Sequence, residues 1–378
     1  MGNKKISSTI TIAKLIPKLV EAGFVGNSQR LELLSLNAIR SFRVELPEMA
    51  EELGSLLAKF AANGTAMRFH AVEPPPTDVD AGLALMRIHS ADSANEPILN
   101  TAVNEVVERF LRERLESERL LREGFGPPRT LLLKGAPGTG KTMLAYSLAR
   151  KLNLPLVVLD LATSISSFLG KTGSNLRRSL DYARAKPCVL LLDEFDAIGK
   201  RRDDVTEVGE LKRIVNVLLK ELEEWPMHSV LVAATNHPEL LDPAIHRRFD
   251  VVIQIPLPGD VEREAIIRMG CGHFAGSLPK NFITAISKVL TDRNGSELNS
   301  LAQSAVRRHV VEKAPLASIF VQEIERLFSG SLPKQKLGTL AKSLQQAAGL
   351  SVREIAALVG KSSSTVQYHL TKKEACHA

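Results

Sequence analysis

Cysteine is scarce in this chain. Cys188, Cys271 and Cys376 are odd in number and far apart, which argues against a disulfide framework or a zinc site and for a reducing compartment. Cys188 heads an apolar run and reads as a small core residue. No apolar stretch approaches the roughly 18 residues of a membrane span, so no membrane contact is expected and the chain reads as cytoplasmic. The start, Met1-Gly2-Asn3-Lys4-Lys5-Ile6, is basic but lacks the apolar core and small-residue cleavage site of a leader. Ile6 stands where a myristoylation motif needs Ser or Thr. No H-E-x-x-H zinc motif and no convincing nucleophile elbow occurs, so peptidase chemistry is not expected from this chain.

What is present is globular in balance, with 44% apolar and 24% charged residues across 378 positions, enough for two or three domains with proper cores. The net charge of +7 is unevenly placed. From Ser331 onward Lys334, Lys336, Lys342, Arg353, Lys361, Lys372 and Lys373 face only Glu354 and Glu374, so this tail holds +5 of it. Such a patch favours a polyanion, or simply solubility.

Residues 1–70 show helical spacing (Leu31, Leu34, Ile39, Leu46, Leu53, Leu56, Leu57, Phe60), broken near Pro47. Glu73-Pro74-Pro75-Pro76-Thr77 marks a linker, so residues 1–95 read as a helical N-terminal accessory region. A helix resumes from Glu96 and ends at Gly124-Phe125-Gly126-Pro127-Pro128. Strands and helices then alternate. Apolar runs at 130–133, 156–159, 188–192, 230–234 and 251–255 are separated by helical patterns, including Asn175 to Ala185 and Glu210 to Glu224. Alternation of this kind predicts an α/β fold with a parallel sheet flanked by helices over residues 96–258. Beyond Pro256-Leu257-Pro258-Gly259 only helical patterns remain, predicting an all-α domain over 259–330 and a further unit over 331–378.

Gly135-Ala136-Pro137-Gly138-Thr139-Gly140-Lys141-Thr142 fits G-x-x-x-x-G-K-[ST], with an apolar strand before it and a helical pattern after it. Glycines at 138 and 140 let successive N–H groups turn inward toward phosphate oxygens, and the helix that starts there adds the positive end of its dipole. Lys141 would reach the β- and γ-phosphates of a nucleotide, and the Thr142 hydroxyl would ligate Mg²⁺. Leu190-Leu191-Leu192-Asp193-Glu194 is an apolar strand ending in two carboxylates. Asp193 suits a contact to Mg²⁺, and Glu194 suits a base that polarises attacking water.

Together with Asp193-Glu194-Phe195-Asp196, Ala234-Thr235-Asn236 and Leu241-Asp242-Pro243-Ala244-Ile245-His246-Arg247-Arg248-Phe249-Asp250, these motifs resemble AAA+ ATPases, in particular the subgroup with protein-remodelling and protease-linked members. The resemblance covers roughly residues 96–328. It implies a P-loop ATPase using ATP and Mg²⁺, a helical lid, and a homo-oligomeric ring, usually of six subunits, with ATP at subunit boundaries. It places Asn236 at the sensor position and Arg247 or Arg248 at the arginine finger. These arginines are adjacent, where many relatives split them by Pro-Gly, so which one is the finger stays open. Gly295 and Ser296 match the start of the lid helix that faces the nucleotide. Phe168-Leu169-Gly170 falls where the family has a pore loop that grips polypeptide. A phenylalanine also suits a core, but Ser166-Ser167 before it and Gly170-Lys171-Thr172-Gly173 after it favour an exposed loop. Lys200-Arg201-Arg202 reads as part of a second inner loop.

Leu350 to Leu370 reads as a helix-turn-helix. Ser351 and Glu354 make a capping box, Ile355, Ala356, Leu358 and Val359 form a packing face, Gly360 permits the turn, and Val366 and Leu370 pack the second helix back. The pattern resembles DNA-binding domains of bacterial regulators and recombinases. It implies that Ser363, Ser364, Thr365, Gln367 and Tyr368 face the major groove or its phosphates, with Lys361, Lys372 and Lys373 on the backbone. A protein-docking helical bundle is the alternative.

The expected activity is therefore an ATP-hydrolysing ring that remodels or translocates a polypeptide and is recruited to DNA by its tail. A separate peptidase or nuclease partner is compatible with it. Two other readings stay open: a DNA-directed ATPase of a mobile-element, repair or defence system, and an ATP-switched transcriptional regulator.

Overall fold

A computed structural model describes residues 15–22, 28–43, 46–66, 86–89, 96–161, 172–198, 218–328 and 332–371. Contacts divide the chain into two compact units. One holds residues 1–97, 102–135 and 141–254; the other holds 98–101, 136–140 and 255–378.

The first unit is built on a six-stranded sheet. In chain order the strands are β1 (Arg87–His89), β2 (Thr130–Lys134), β3 (Leu156–Asp160), β4 (Val189–Asp193), β5 (Val230–Thr235) and β6 (Val251–Gln254). They lie side by side as β1-β3-β4-β5-β2-β6. All neighbours are parallel except β1, which runs antiparallel to β3. Leu131, Leu132 and Leu133 of β2, and Leu190, Leu191 and Leu192 of β4, are fully buried. Strands covered on both faces need apolar residues at every position, which is why these segments read as unbroken hydrophobic runs. The core on one face joins Leu132, Leu190, Leu192, Leu231 and Ala233 to Leu176, Leu180, Leu222, Trp225 and Phe249. Cys188 lies in it, and burial pushes its thiol up to about 12.

β1 falls inside the stretch expected to be a helical accessory region. Three residues that pair with Leu156, Val157 and Val158 leave too short a pattern for periodicity to detect. The helix expected from Glu96 starts at Thr101. Helices Ser28–Phe42 and Pro47–Ala66 pack through Leu36, Ile39, Phe42, Ala50 and Leu57 onto Leu121 and Met227.

The second unit is helical: Asp260–Cys271, Phe282–Ser287, Gly295–Glu312, Leu316–Leu327, Lys334–Ala348, Val352–Leu358 and Ser363–Thr371. The segments read separately as lid and helix-turn-helix share one core here. Ile286, Val289, Leu290, Phe320 and Ile324 are in the same cluster as Leu337, Leu340, Leu344, Ile355, Val359 and Val366. Among the described residues no helix is long and apolar enough to cross a membrane.

Candidate functional site

The strand order sets the geometry. Because β5 lies between β4 and β2, the carboxyl ends of all three strands meet at one edge of the sheet, where open α/β sheets place their ligands. The Gly135 N–H, just past β2, donates to Thr235 O at 3.4 Å, tying the loop's first residue to the end of β5.

Lys141 opens the helix Lys141–Lys151 and is only 7% exposed. Its Nζ donates to Gly135 O at 2.8 Å. Burial lowers the pKa of this ammonium, and the Asp193 and Asp196 carboxylates oppose that shift. The next residue, Thr142, donates its Oγ1 proton to Asp193 Oδ2 at 3.1 Å. A hydroxyl and a carboxylate from distant parts of the sequence thus come together.

Glu194 is exposed and has φ +52°, in the left-handed region that side chains with a Cβ seldom occupy. Its N–H is held by Asp193 Oδ1 at 2.9 Å. Such strain costs about 1–3 kcal/mol and tends to persist where function needs a fixed direction.

Sequence reading gave Asp196 no role. It is buried, 2% exposed, and its Oδ1 accepts from Thr235 Oγ1 and from the Asn236 N–H, both at 3.2 Å. The half-buried Asn236 is therefore anchored through its backbone to the short turn Phe195–Ile198 that lies just beyond the acidic strand. A carboxylate in the apolar context of residues 189–198 was the available signal, since a buried charge must be paired.

Arg247 and Arg248 follow the short helix Pro243–His246, which Asp242 caps by accepting the Ala244 N–H. Both arginines are exposed. They differ in partner: Arg248 pairs with Glu223, whereas Arg247 has no side-chain partner among the described residues. Asp250 Oδ2 accepts the N–H groups of Arg129 at 2.7 Å and Thr130 at 3.0 Å, fixing the strand that precedes the loop.

Within the helical unit, Gly138 packs against the start of helix Gly295–Glu312. Ser296 N–H donates to Gly138 O at 3.1 Å. A Cβ on Gly138 would lie 2.5 Å from Asn294 Oδ1, and φ there is +73°. Gly140 has φ +98°. Thr139 Oγ1 donates to Ala136 O at 2.9 Å, and Ala136 and Pro137 are exposed. Gly295 lets the helix approach, since a Cβ on it would lie 3.3 Å from Gly138 O. Asn294 is a further residue that sequence reading missed. It forms a capping box with Glu297, and the Asn-Gly-Ser-Glu spelling could have found it.

At the end of this unit, Ser351 and Glu354 form their capping box, and Gly360 makes the turn at φ +58°. Ser362 Oγ accepts the Thr365 N–H at 3.2 Å and bonds the hydroxyls of Ser364 and Thr365. Val366 is buried, while Lys361, Ser363, Ser364, Gln367 and Tyr368 are exposed and Thr365 is half-buried. Phe168, Leu169 and Lys372, like Lys200 to Arg202 and Lys373, lie outside the described residues.

The profile of the ATPase family associated with various cellular activities (AAA) matches residues 131–257, and that of the winged helix-turn-helix DNA-binding family matches residues 342–372. Among curated proteins, an AAA family ATPase of Sinorhizobium fredii is 34% identical over 232 residues, which cover 60% of this chain and 68% of the relative. The ATP-dependent zinc metalloprotease FtsH of Acidothermus cellulolyticus is 35% identical over 57% of this chain and 33% of its own length. The 26S proteasome regulatory subunit 10B homolog A of Arabidopsis thaliana is 35% identical over 52% of each chain. The chain thus spans between a third and about half of the latter two proteins.

Proposed function

The chain belongs to the AAA family of ATPases and ends in a winged helix-turn-helix, and we propose that it hydrolyses Mg²⁺-ATP to remodel or translocate a polypeptide while that module holds it on DNA. The observation that carries the hydrolytic part is the pairing of Thr142 with Asp193 beside the buried Lys141 and the strained Glu194.

In this reading the N–H groups of the loop from Gly135 to Thr142 hold the phosphates, and Lys141 places its charge on the β- and γ-oxygens. Thr142 and Asp193 offer two hard oxygen atoms 3.1 Å apart, the donor chemistry that would hold Mg²⁺. Mg²⁺ bound there supplies neutralising charge to the phosphate oxygens. The Glu194 carboxylate accepts a proton from water as the water oxygen bonds to the γ-phosphorus. The bridging P–O bond breaks, and ADP and phosphate result. Asn236 orients that water. Arg247, without a side-chain partner among the described residues, acts on the neighbouring subunit's ATP, with Arg248 held by Glu223.

Polypeptide as the remodelled object is supported by the relatives named as a metalloprotease and a proteasome regulatory subunit. Phe168 and Leu169 are proposed to grip it in the pore of a homo-oligomeric, hexameric ring. A separate peptidase or nuclease would act on what the ring delivers. DNA itself as the remodelled object is a second reading, favoured by the exposed Ser363, Ser364, Gln367 and Tyr368 in a tail of net charge +5.

The test is turnover of the full chain with no addition, with unfolded polypeptide and with duplex DNA. Stimulation by polypeptide that disappears in Phe168→Ala is expected. Stimulation by duplex alone, falling steeply with salt, would replace this reading with the second. Retained turnover in Glu194→Gln would overturn the hydrolytic assignment.

A further inference from the structure

Eight consecutive residues, Val289 to Ser296, touch the phosphate-loop glycine at one end and, at the other, the first turn of helix Lys334–Ala348, which runs into the helix-turn-helix segment. At the far end Ser296 N–H bonds Gly138 O at 3.1 Å, and Asn294 lies against the face of Gly138 that has no Cβ. At the near end three groups converge on Lys336, in the first turn of helix Lys334–Ala348. Its Nζ donates to Val289 O at 2.9 Å, Thr291 Oγ1 at 3.0 Å and Asp292 Oδ2 at 3.2 Å. The Lys336 bond, joined by one from the Thr291 hydroxyl, holds the Asp292 carboxyl below its usual range.

The segment has little slack between these anchors. Val289 and Leu290 are fully buried in the core that also contains Leu337, Leu340, Ile355 and Val366. Arg293 bonds Glu297 Oε1 at 3.0 Å and Leu327 O at 3.3 Å, and its guanidinium lies 5.1 Å from the centre of the Phe328 ring. Asn281 Nδ2 reaches across to Ala347 O at 2.9 Å, at the opposite end of the helix that carries Lys336. Packed interiors pass displacements on rather than absorbing them.

We infer that residues 289–296 couple the nucleotide loop to the helix-turn-helix through Lys336, so that the nucleotide bound at the loop sets the affinity for duplex DNA. This rests on the nucleotide and DNA roles proposed above. A triphosphate and a diphosphate make different demands on the loop around Gly138. A shift of that glycine moves the start of helix Gly295–Glu312, and with it the three acceptors of Lys336. Linkage makes the effect reciprocal, so duplex changes nucleotide affinity by the same factor.

The experiment uses the full-length protein and the Lys336→Met variant, which keeps an apolar stem and loses the three donated bonds. Binding of a labelled mixed-sequence duplex is measured at low ionic strength with Mg²⁺-ATPγS and with Mg²⁺-ADP, and the ratio of the two Kd values is taken within each protein. A ratio of about fivefold or more in the natural protein, collapsing toward one in Lys336→Met with ATPγS affinity retained, is expected. Equal Kd values in the natural protein, or an unchanged ratio in the variant, would overturn the coupling. Amide exchange at residues 334–340, measured with each nucleotide and no DNA, separates the two roles. If no duplex binds but exchange there still differs between nucleotides, the relay stands and the DNA reading fails. If exchange is identical, the relay fails whatever the tail binds.

Discussion

Asp196 Oδ1 accepts the backbone N–H of Asn236 at 3.2 Å and the Thr235 hydroxyl at the same distance, joining the turn Phe195–Ile198 beyond the acidic strand to the end of β5 and to Asn236, the proposed sensor. The carboxylate is buried, so its removal leaves two donors without an acceptor. Asp196→Ala should lower kcat by about tenfold or more, corresponding to a lost charged hydrogen bond of about 1.5–3 kcal/mol, with nucleotide affinity less affected. Steady-state turnover beside equilibrium ATP binding checks this, and a loss confined to affinity would count against a positioning role.

The two arginines should separate. Arg247→Ala is expected to reduce turnover by about 10³-fold, as removal of a finger does, while leaving ATP binding intact. Arg248 is already paired with Glu223, so Arg248→Ala should fall well short of that. Mixing Arg247→Ala with Glu194→Gln protein should restore partial activity if the arginine acts across subunits.

Gly138→Ala should abolish nucleotide binding. A Cβ there meets Asn294 Oδ1 at 2.5 Å in a backbone region where alanine is strained. Isothermal titration with ATPγS measures it, and near-normal affinity would show that the loop does not need this conformation.

Glu32 gives the pH prediction. Burial raises its carboxyl from 4.5 to about 7, against smaller opposing effects of Arg129 and of a backbone bond from Met227, and Oε2 has no partner among the described residues. A folded-state pKa above the unfolded value means the native state holds the extra proton. The resulting stabilisation, on the order of 3 kcal/mol, is present below pH 4.5 and is lost as pH rises through about 7. Glu32→Gln, neutral at every pH, should flatten that dependence. Thermal unfolding of both proteins between pH 4.5 and 8 tests it.

Lys361→Ala should weaken duplex binding evenly across sequences and reduce the slope of log affinity against log salt by about one. Gln367→Ala or Tyr368→Ala should instead alter which sequences are preferred. Titrations at several salt concentrations separate the two.

The phosphate loop and acidic strand were legible because their chemistry is local: Gly135 to Thr142 and Leu190 to Glu194 each state a strand or helix, a turn and a charged group within a few residues. The parallel sheet was legible because strands buried on both faces admit almost no polar residue. What escaped depends on distant partners. Nothing near Asp196 in sequence announces Thr235 and Asn236, and nothing near Lys336 announces Val289, Thr291 and Asp292. The φ of Glu194 is likewise imposed by its surroundings, since glutamate has no intrinsic taste for that region. The common core of the last seven helices was missed because amphipathic spacing says which face is buried but not against which helix.

The antiparallel strand β1 has a practical consequence. Among the described residues it caps the outer side of β3 through Arg87, Ile88 and His89, and two of those three residues bear basic groups. A short, charged rim of this kind discourages sheet-to-sheet sticking. A fragment trimmed to begin after His89 would lay bare the main-chain groups of Leu156-Val157-Val158, and it should precipitate or self-associate even though every residue of the phosphate loop is still there.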